Sequence, residues 1–120
     1  MAKRELEPMA PLTPALFHVL LSLAGNESHG YAILKDVELR TAGEVKLSTG
    51  TLYGIIKRLL VAGMIEECRR RPASGEDDER RRYYRLTPFG REVAIAEAER
   101  LEKVVTHARE KNLLRRLRTA

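Results

Sequence analysis

The apolar residues of this chain keep a helical rhythm up to Gly63, lose it, and resume it after Pro88. Thr13-Pro14 offers a hydroxyl cap followed by proline at the first helical position. Leu16, Phe17, Val19, Leu20, Leu21 and Leu23 follow, apolar nearly all round, which predicts a first helix buried on most sides and ended by Gly25-Asn26. A second helix is predicted to start near Ser28 to Gly30 and to run through Tyr31, Ile33, Leu34 and Val37. It closes at Thr41-Ala42-Gly43, where the glycine suits a C-terminal cap. Ser48 then opens a third helix. Its Leu52, Ile55, Ile56, Leu59 and Leu60 share one face at helical spacing, and Gly63 stops it.

Beyond Gly63 two short strand-like stretches, Met64 to Arg70 and Arg82 to Thr87, flank a polar connection too long for a tight turn. Thr87-Pro88 repeats the helix-start signal. The run after it carries Val93, Ala94, Ala98, Leu101, Val104, Val105 and Ala108, then Leu113, Leu114 and Leu117, and predicts a helix continuing to near the C-terminus. Such a helix is longer than a three-helix domain needs to cover itself, and its apolar stripe calls for a partner helix. The expected fold is therefore mainly α with a small β-hairpin: a winged helix-turn-helix followed by a long C-terminal dimerisation helix. The expected organisation is a loose arm over residues 1–12, a winged-helix domain over 13–87 and the dimerisation helix over 88–120.

At 120 residues the chain has room for one core, and with only 5% aromatic residues and no Trp that core must be built from Leu, Ile, Val and Ala. A net charge of +5 favours an anionic partner. The single cysteine, Cys68, allows neither an internal disulfide nor a cysteine-based zinc site. The first residues lack the apolar run of a signal peptide, and no stretch approaches the ~20 apolar residues of a membrane span. A cytoplasmic protein without membrane contact is the expectation.

Placing the charges sharpens the partner. With the Leu/Ile face of the third helix turned inward, Gly50, Gly54, Lys57, Arg58 and Val61 point outward, and Thr51 and Tyr53 flank them. A recognition helix enters the major groove by its N-terminal residues, so the hydroxyls of Ser48, Thr49 and Thr51 can reach phosphates or bases. Gly50 and Gly54 would let the backbone approach the duplex, and Lys57 and Arg58 suit phosphate or guanine contacts. Two readings stand for Tyr53, groove contact or packing against the hairpin. The hairpin connection brings Arg69, Arg70 and Arg71 towards Arg80, Arg81 and Arg82, a surface suited to phosphate. Glu76, Asp77, Asp78 and Glu79 at its tip leave a self-neutralised hairpin as the alternative.

Enzyme chemistry finds no support. His18, His29 and His107 have no carboxylates at metal-ligand spacing, and Glu66 and Glu67 point to opposite faces of a strand. Cys68 is read as a half-buried strand residue, with a thiol activated by the neighbouring arginines as the second reading. No catalytic triad, phosphate loop or dinucleotide motif is present, and no cofactor is expected.

Three stretches resemble PadR-type regulators in order and spacing: His29-Gly30-Tyr31-Ala32-Ile33-Leu34, Leu47-Ser48-Thr49-Gly50-Thr51-Leu52-Tyr53, and Arg82-Tyr83-Tyr84-Arg85-Leu86-Thr87 before Gly90. The resemblance covers roughly Leu16 to Gly90. It implies a homodimer held largely by the C-terminal helix, repression at inverted-repeat sites on double-stranded DNA, and Ser48, Gly50, Thr51 and Tyr53 on the DNA-reading element. A single C-terminal helix is similar to the smaller subfamily. Thr49 and Gly54 stand where that family often has proline, implying a more flexible helix start and a different base preference. Without Trp, the flat-aromatic ligand mode of some relatives does not carry over. The expected dimer interface is Phe17, Ala94, Ala98, Leu101, Val104, Val105 and Ala108. Two further readings stand beside DNA binding: a winged-helix module for protein contact, and a sensor of a small-molecule effector of unknown identity, which is compatible with repression.

Overall fold

A computed structural model describes residues 12–69 and 82–115 of the chain. Four helices and three strands follow in the order α1 (Pro14–Gly25), β1 (Ser28–His29), α2 (Gly30–Arg40), α3 (Thr49–Val61), β2 (Ile65–Cys68), β3 (Tyr83–Leu86) and α4 (Pro88–Glu110). Helices α1, α2 and α3 form the trihelical body, and the antiparallel pair β2–β3 forms the base of the wing. This is the expected winged helix-turn-helix with a long C-terminal helix.

Side-chain hydroxyls start three of the four helices. Thr13, Ser48 and Thr87 each accept from the backbone N–H three residues on, satisfying one of the donors that a helix start leaves open. At α2 the cap is His29, whose Nδ1 accepts from Ala32 N at 3.2 Å. Helix α3 closes through Gly63 at φ 76°, with Met64 N donating to Leu59 O and Gly63 N to Leu60 O. Helix α2 ends in the same hydrogen-bond pattern, but there Ala42 occupies the left-handed position at φ 52° and Gly43 follows it. Gly43 is left-handed as well, at φ 81°, so the glycine that the sequence suggested does sit in the cap, with Ala42 before it.

The core is aliphatic. Leu16, Val19, Leu20 and Leu23 of α1 meet Ile33 and Val37 of α2, Leu52, Ile55, Ile56 and Leu59 of α3, and Val93 and Ala94 of α4. Tyr84 closes it from the sheet. A polar clasp joins α1 to α2 at the surface. Arg40 donates to Asp36 Oδ2 at 2.8 Å, to Ser22 Oγ at 2.9 Å and to the His18 carbonyl at 3.1 Å, while Ser22 donates to Asp36 at 2.7 Å.

Three sequence expectations are corrected. First, a strand precedes α2: Ser28 and His29 pair with Tyr84 and Tyr83, so the sheet has three strands in the order β1-β3-β2. Two residues are too few to show an alternation in the sequence. Second, α4 stops at Glu110 instead of running on through Leu113 and Leu114. Asn112 turns left-handed at φ 60°, with Leu113 N donating to Ala108 O and Asn112 N to Arg109 O. Leu117 lies outside the described residues. Third, Leu12, assigned to the arm, is buried in the core, and its N–H donates to the Glu97 carboxylate. The rest of the arm lies outside the described residues.

Gly90 fixes how α4 leaves the wing. A Cβ at Gly90 would lie 2.7 Å from the Met64 carbonyl carbon and closer still to its oxygen. Beside it, Thr87 N donates to Met64 O at 3.1 Å and Thr87 Oγ1 to Gly63 O at 2.6 Å. The end of α3 and the start of α4 are therefore bolted together. Among the described residues no helix is long and apolar enough to cross a membrane.

Candidate nucleic-acid interface

The outer face of α3 is exposed along its length. Ser48, Thr49, Gly50 and Thr51 are exposed at its start, and Gly54, Lys57 and Arg58 continue along it. Ser48 Oγ accepts from Thr51 N at 3.1 Å and donates to Thr51 Oγ1 at 2.9 Å, so its first role is to cap. Nothing lies within 4 Å of a Cβ built on Gly50 or Gly54. The monomer itself gives no steric reason for either glycine. Among the described residues no carboxylate stands in ion-pair range of Lys57 or Arg58. Val61, 82% exposed, ends the face.

Tyr53 makes a contact on α2 that neither reading of it included. It is 48% exposed, yet its ring tip covers Gly30, where a Cβ would meet the hydroxyl at 2.5 Å and Cζ at 2.9 Å. A side chain at Gly30 would displace the tip of the Tyr53 ring, which rests on the start of α2. Tyr84 lies close by. Burial first, then Glu67 and Tyr53, push its phenol above the ordinary tyrosine range.

Of the wing arginines, Arg69 and Arg82 are described and exposed, at the base of the hairpin. Arg82 stands 3.5 Å from Glu67, while Arg85 pairs with its cross-strand neighbour Glu66 at 2.8 Å. Exposed pairs of this kind contribute little to stability, so Arg82 can exchange Glu67 for a phosphate at little cost. Arg70, Arg71, Arg80 and Arg81, with the acidic tip, lie outside the described residues. Lys46 is exposed two residues before the Ser48 cap, also without a carboxylate in range among the described residues, and in the sequence it is one residue of a polar connection. A lysine that close to a recognition-helix cap is the signal that would have found it.

Cys68 is half-buried and donates to Glu27 Oε2 at 3.4 Å. Burial, followed by the Glu27 carboxylate, raises its thiol pKa, the reverse of activation by the nearby arginines. The apolar face of α4 divides. Gly90, Val93, Ala94 and Glu97 are buried against the domain, so Ala94 already has its packing within one chain. Beyond Glu97 the helix turns to solvent. Ala98, Leu101, Val104 and Val105 are exposed, Ala108 is half-buried, and Ile95 adds to the stripe. Phe17 of α1 is partly buried against the core.

Known proteins share this fold. A transcriptional regulator from Clostridium thermocellum is similar at 28% identity, over 79% of this chain and 89% of that one, with a TM-score of 0.65. A PadR-like transcriptional regulator from Bacillus cereus superposes with a TM-score of 0.70 at 18% identity, covering 94% of this chain and all of that one. Bacillus subtilis PadR, solved in complex with operator DNA, shares the fold with a TM-score of 0.58 at 19% identity, over 76% of this chain and 48% of its own. No protein of curated function matches. The model of the transcriptional regulator PadR-like family matches residues 19–96, from within α1 through the sheet and into α4. With more than half of its length matched in this way, the chain belongs to the transcriptional regulator PadR-like family.

Proposed function

We propose that the protein is a sequence-specific repressor that binds double-stranded DNA as a homodimer, laying α3 in the major groove. The observation that carries this is the outer face of α3: two glycines with nothing packed against them, a half-exposed tyrosine and two cations with no carboxylate in range among the described residues. Major-groove entry needs close backbone approach and positive charge together. The operator complex of Bacillus subtilis PadR supports the same use of this fold.

Two α3 helices related by a dimer axis would reach successive grooves about 34 Å apart, with Arg82 and the wing arginines on flanking phosphates. The exposed stretch of α4 from Ala98 to Ala108, together with Phe17, is the surface such a dimer would bury. An effector that relieves repression would act there, between Leu101, Val105 and the partner's first helix. Bound at a promoter, the dimer would block polymerase. The family is one of regulators, and enzyme chemistry forms no part of the reading.

The test is anisotropy of a labelled duplex from the region upstream of the gene, beside a scrambled duplex, between about 50 and 200 mM salt. Selective binding that weakens steeply with salt, and a loss of about one unit of salt slope in Lys57→Ala, are the expected results. Equal weak binding to both duplexes would leave only a basic surface and favour the protein-contact module.

A further inference from the structure

Helix α2 presents a tyrosine and a lysine that neither the core nor the α3 face uses. Tyr31 is 58% exposed, and Lys35, one turn on, holds its ammonium 5.5 Å from the centre of the Tyr31 ring. We propose that Tyr31 and Lys35 form a second phosphate-binding point, which grips the DNA backbone at the rim of the groove that α3 enters. This rests on the DNA reading above and adds a contact from the other helix of the helix-turn-helix.

Three observations converge on it. The first is position. Tyr31 follows Gly30, the residue on which Tyr53 of α3 rests, so the start of α2 lies beside α3. At about 100° per residue, Asp36 and Arg40 lie roughly 140–180° around the helix from Tyr31. Those two are tied to α1, so Tyr31 and Lys35 occupy the flank turned away from α1.

The second is charge. Arg40, Arg82, Arg85 and Arg100 each stand beside a carboxylate, whereas among the described residues none is in ion-pair range of Lys35. The third is chemistry. A lysine over a tyrosine face is held in place by the ring's electron-rich surface, and its remaining N–H groups stay free to donate. The tyrosine hydroxyl adds a neutral donor. Lysine and tyrosine donors to phosphate oxygens position a protein on a duplex without reading its sequence, and the first helix of the motif is the one that crosses the backbone.

The experiment compares wild type, Lys35→Gln, Tyr31→Phe and Lys57→Ala on the upstream and scrambled duplexes across the same salt range, with thermal unfolding of each. Lys35→Gln is expected to weaken binding roughly three- to tenfold on both duplexes and to lower the salt slope by about 0.9. Tyr31→Phe should weaken both duplexes by a smaller factor at unchanged slope. Unfolding midpoints should stay at the wild-type value, because both side chains are exposed. The proposal is overturned if Lys35→Gln binds as wild type while Lys57→Ala loses affinity, a result that leaves the DNA reading standing. It is also overturned if Lys35→Gln loses affinity at unchanged slope. If wild type binds neither duplex, both readings fail together.

Discussion

Gly54 separates what the fold needs from what the function needs. It lies in the middle of α3, where glycine costs about 1 kcal/mol relative to alanine. A Cβ built there meets nothing within 4 Å, so Gly54→Ala creates no clash and fills no cavity. The substitution should raise stability by about 0.5–1 kcal/mol, from restored helix propensity and a less free unfolded chain. For a domain of this size that is roughly 2–6 °C in Tm. If the glycine exists to let a duplex approach the backbone, the same methyl group stands where phosphate or base edges must come, and affinity should fall by tenfold or more, about 1.4 kcal/mol. Thermal unfolding and anisotropy on one preparation read both effects. A stabilised variant that binds the upstream duplex as wild type would refute the claim that this face meets DNA closely. A destabilised variant would refute the claim that the monomer leaves Gly54 unused.

Gly90→Ala is the opposite case. Its methyl group would drive into the Met64 carbonyl and displace the hydrogen bonds of Thr87 to Met64 and Gly63. A net loss of about 2–4 kcal/mol is expected in urea unfolding, and a stability within 0.5 kcal/mol of wild type would show that α4 can slide at that joint. Ala42→Gly relieves a left-handed alanine at φ 52° and should stabilise by about 0.5–1 kcal/mol. An unfolding curve that moved to lower urea would contradict the strain assigned there. Stability should also fall in two stages with acidification. Burial, then the Arg40 charge, lowers the pKa of His18, so its contribution is complete above the ordinary imidazole value of about 6.5 and fades as pH drops through the lowered one. Asp36 is held low by Ser22 and then Arg40, and Glu97 by Arg100. Their contributions persist until pH falls below the ordinary carboxylate range of about 4. Urea midpoints measured against pH should show both stages, and His18→Gln should remove the upper one alone.

How much of this was readable beforehand follows the range of the interactions. The caps at Thr13, Ser48 and Thr87 and the apolar stripe of α3 act within a turn or two, and they stand where the sequence placed them. What escaped depends on partners far along the chain. Strand β1 exists because Tyr83 and Tyr84, over fifty residues away, supply its hydrogen bonds. Glu97, only 4% exposed, reads as one more surface acid until Arg100 is seen forking onto it at 2.7 and 2.8 Å, with the Leu12 N–H beside it. Gly30 carried no sign of its reason, since the ring that rests on it belongs to another helix. For the site, the α3 residues were legible from their phase against the apolar stripe. Lys46, Tyr31 and Lys35 were not, because their importance comes from neighbours on α3.

The same division gives an argument for the interface that does not depend on likeness to other proteins. Glycines are costly inside helices, so each should have a reason. Gly63 has a left-handed turn, Gly30 has the Tyr53 ring, and Gly90 has the Met64 carbonyl. Gly50 and Gly54, like Gly25 at the end of α1, have none among the described residues. Cations divide likewise: Arg40, Arg85 and Arg100 sit on carboxylates, whereas Lys35, Lys46, Lys57 and Arg58 meet none among the described residues. Other cations without a described carboxylate, such as Arg91, Lys103 and Arg109, are spread along α4, whereas Gly50, Gly54, Lys35, Lys46, Lys57 and Arg58 share α2, α3 and the turn between them. Two glycines that invite close approach and four uncommitted positive charges on one helix-turn-helix describe the complement of a polyanion with a groove, which is the shape and charge of a DNA duplex.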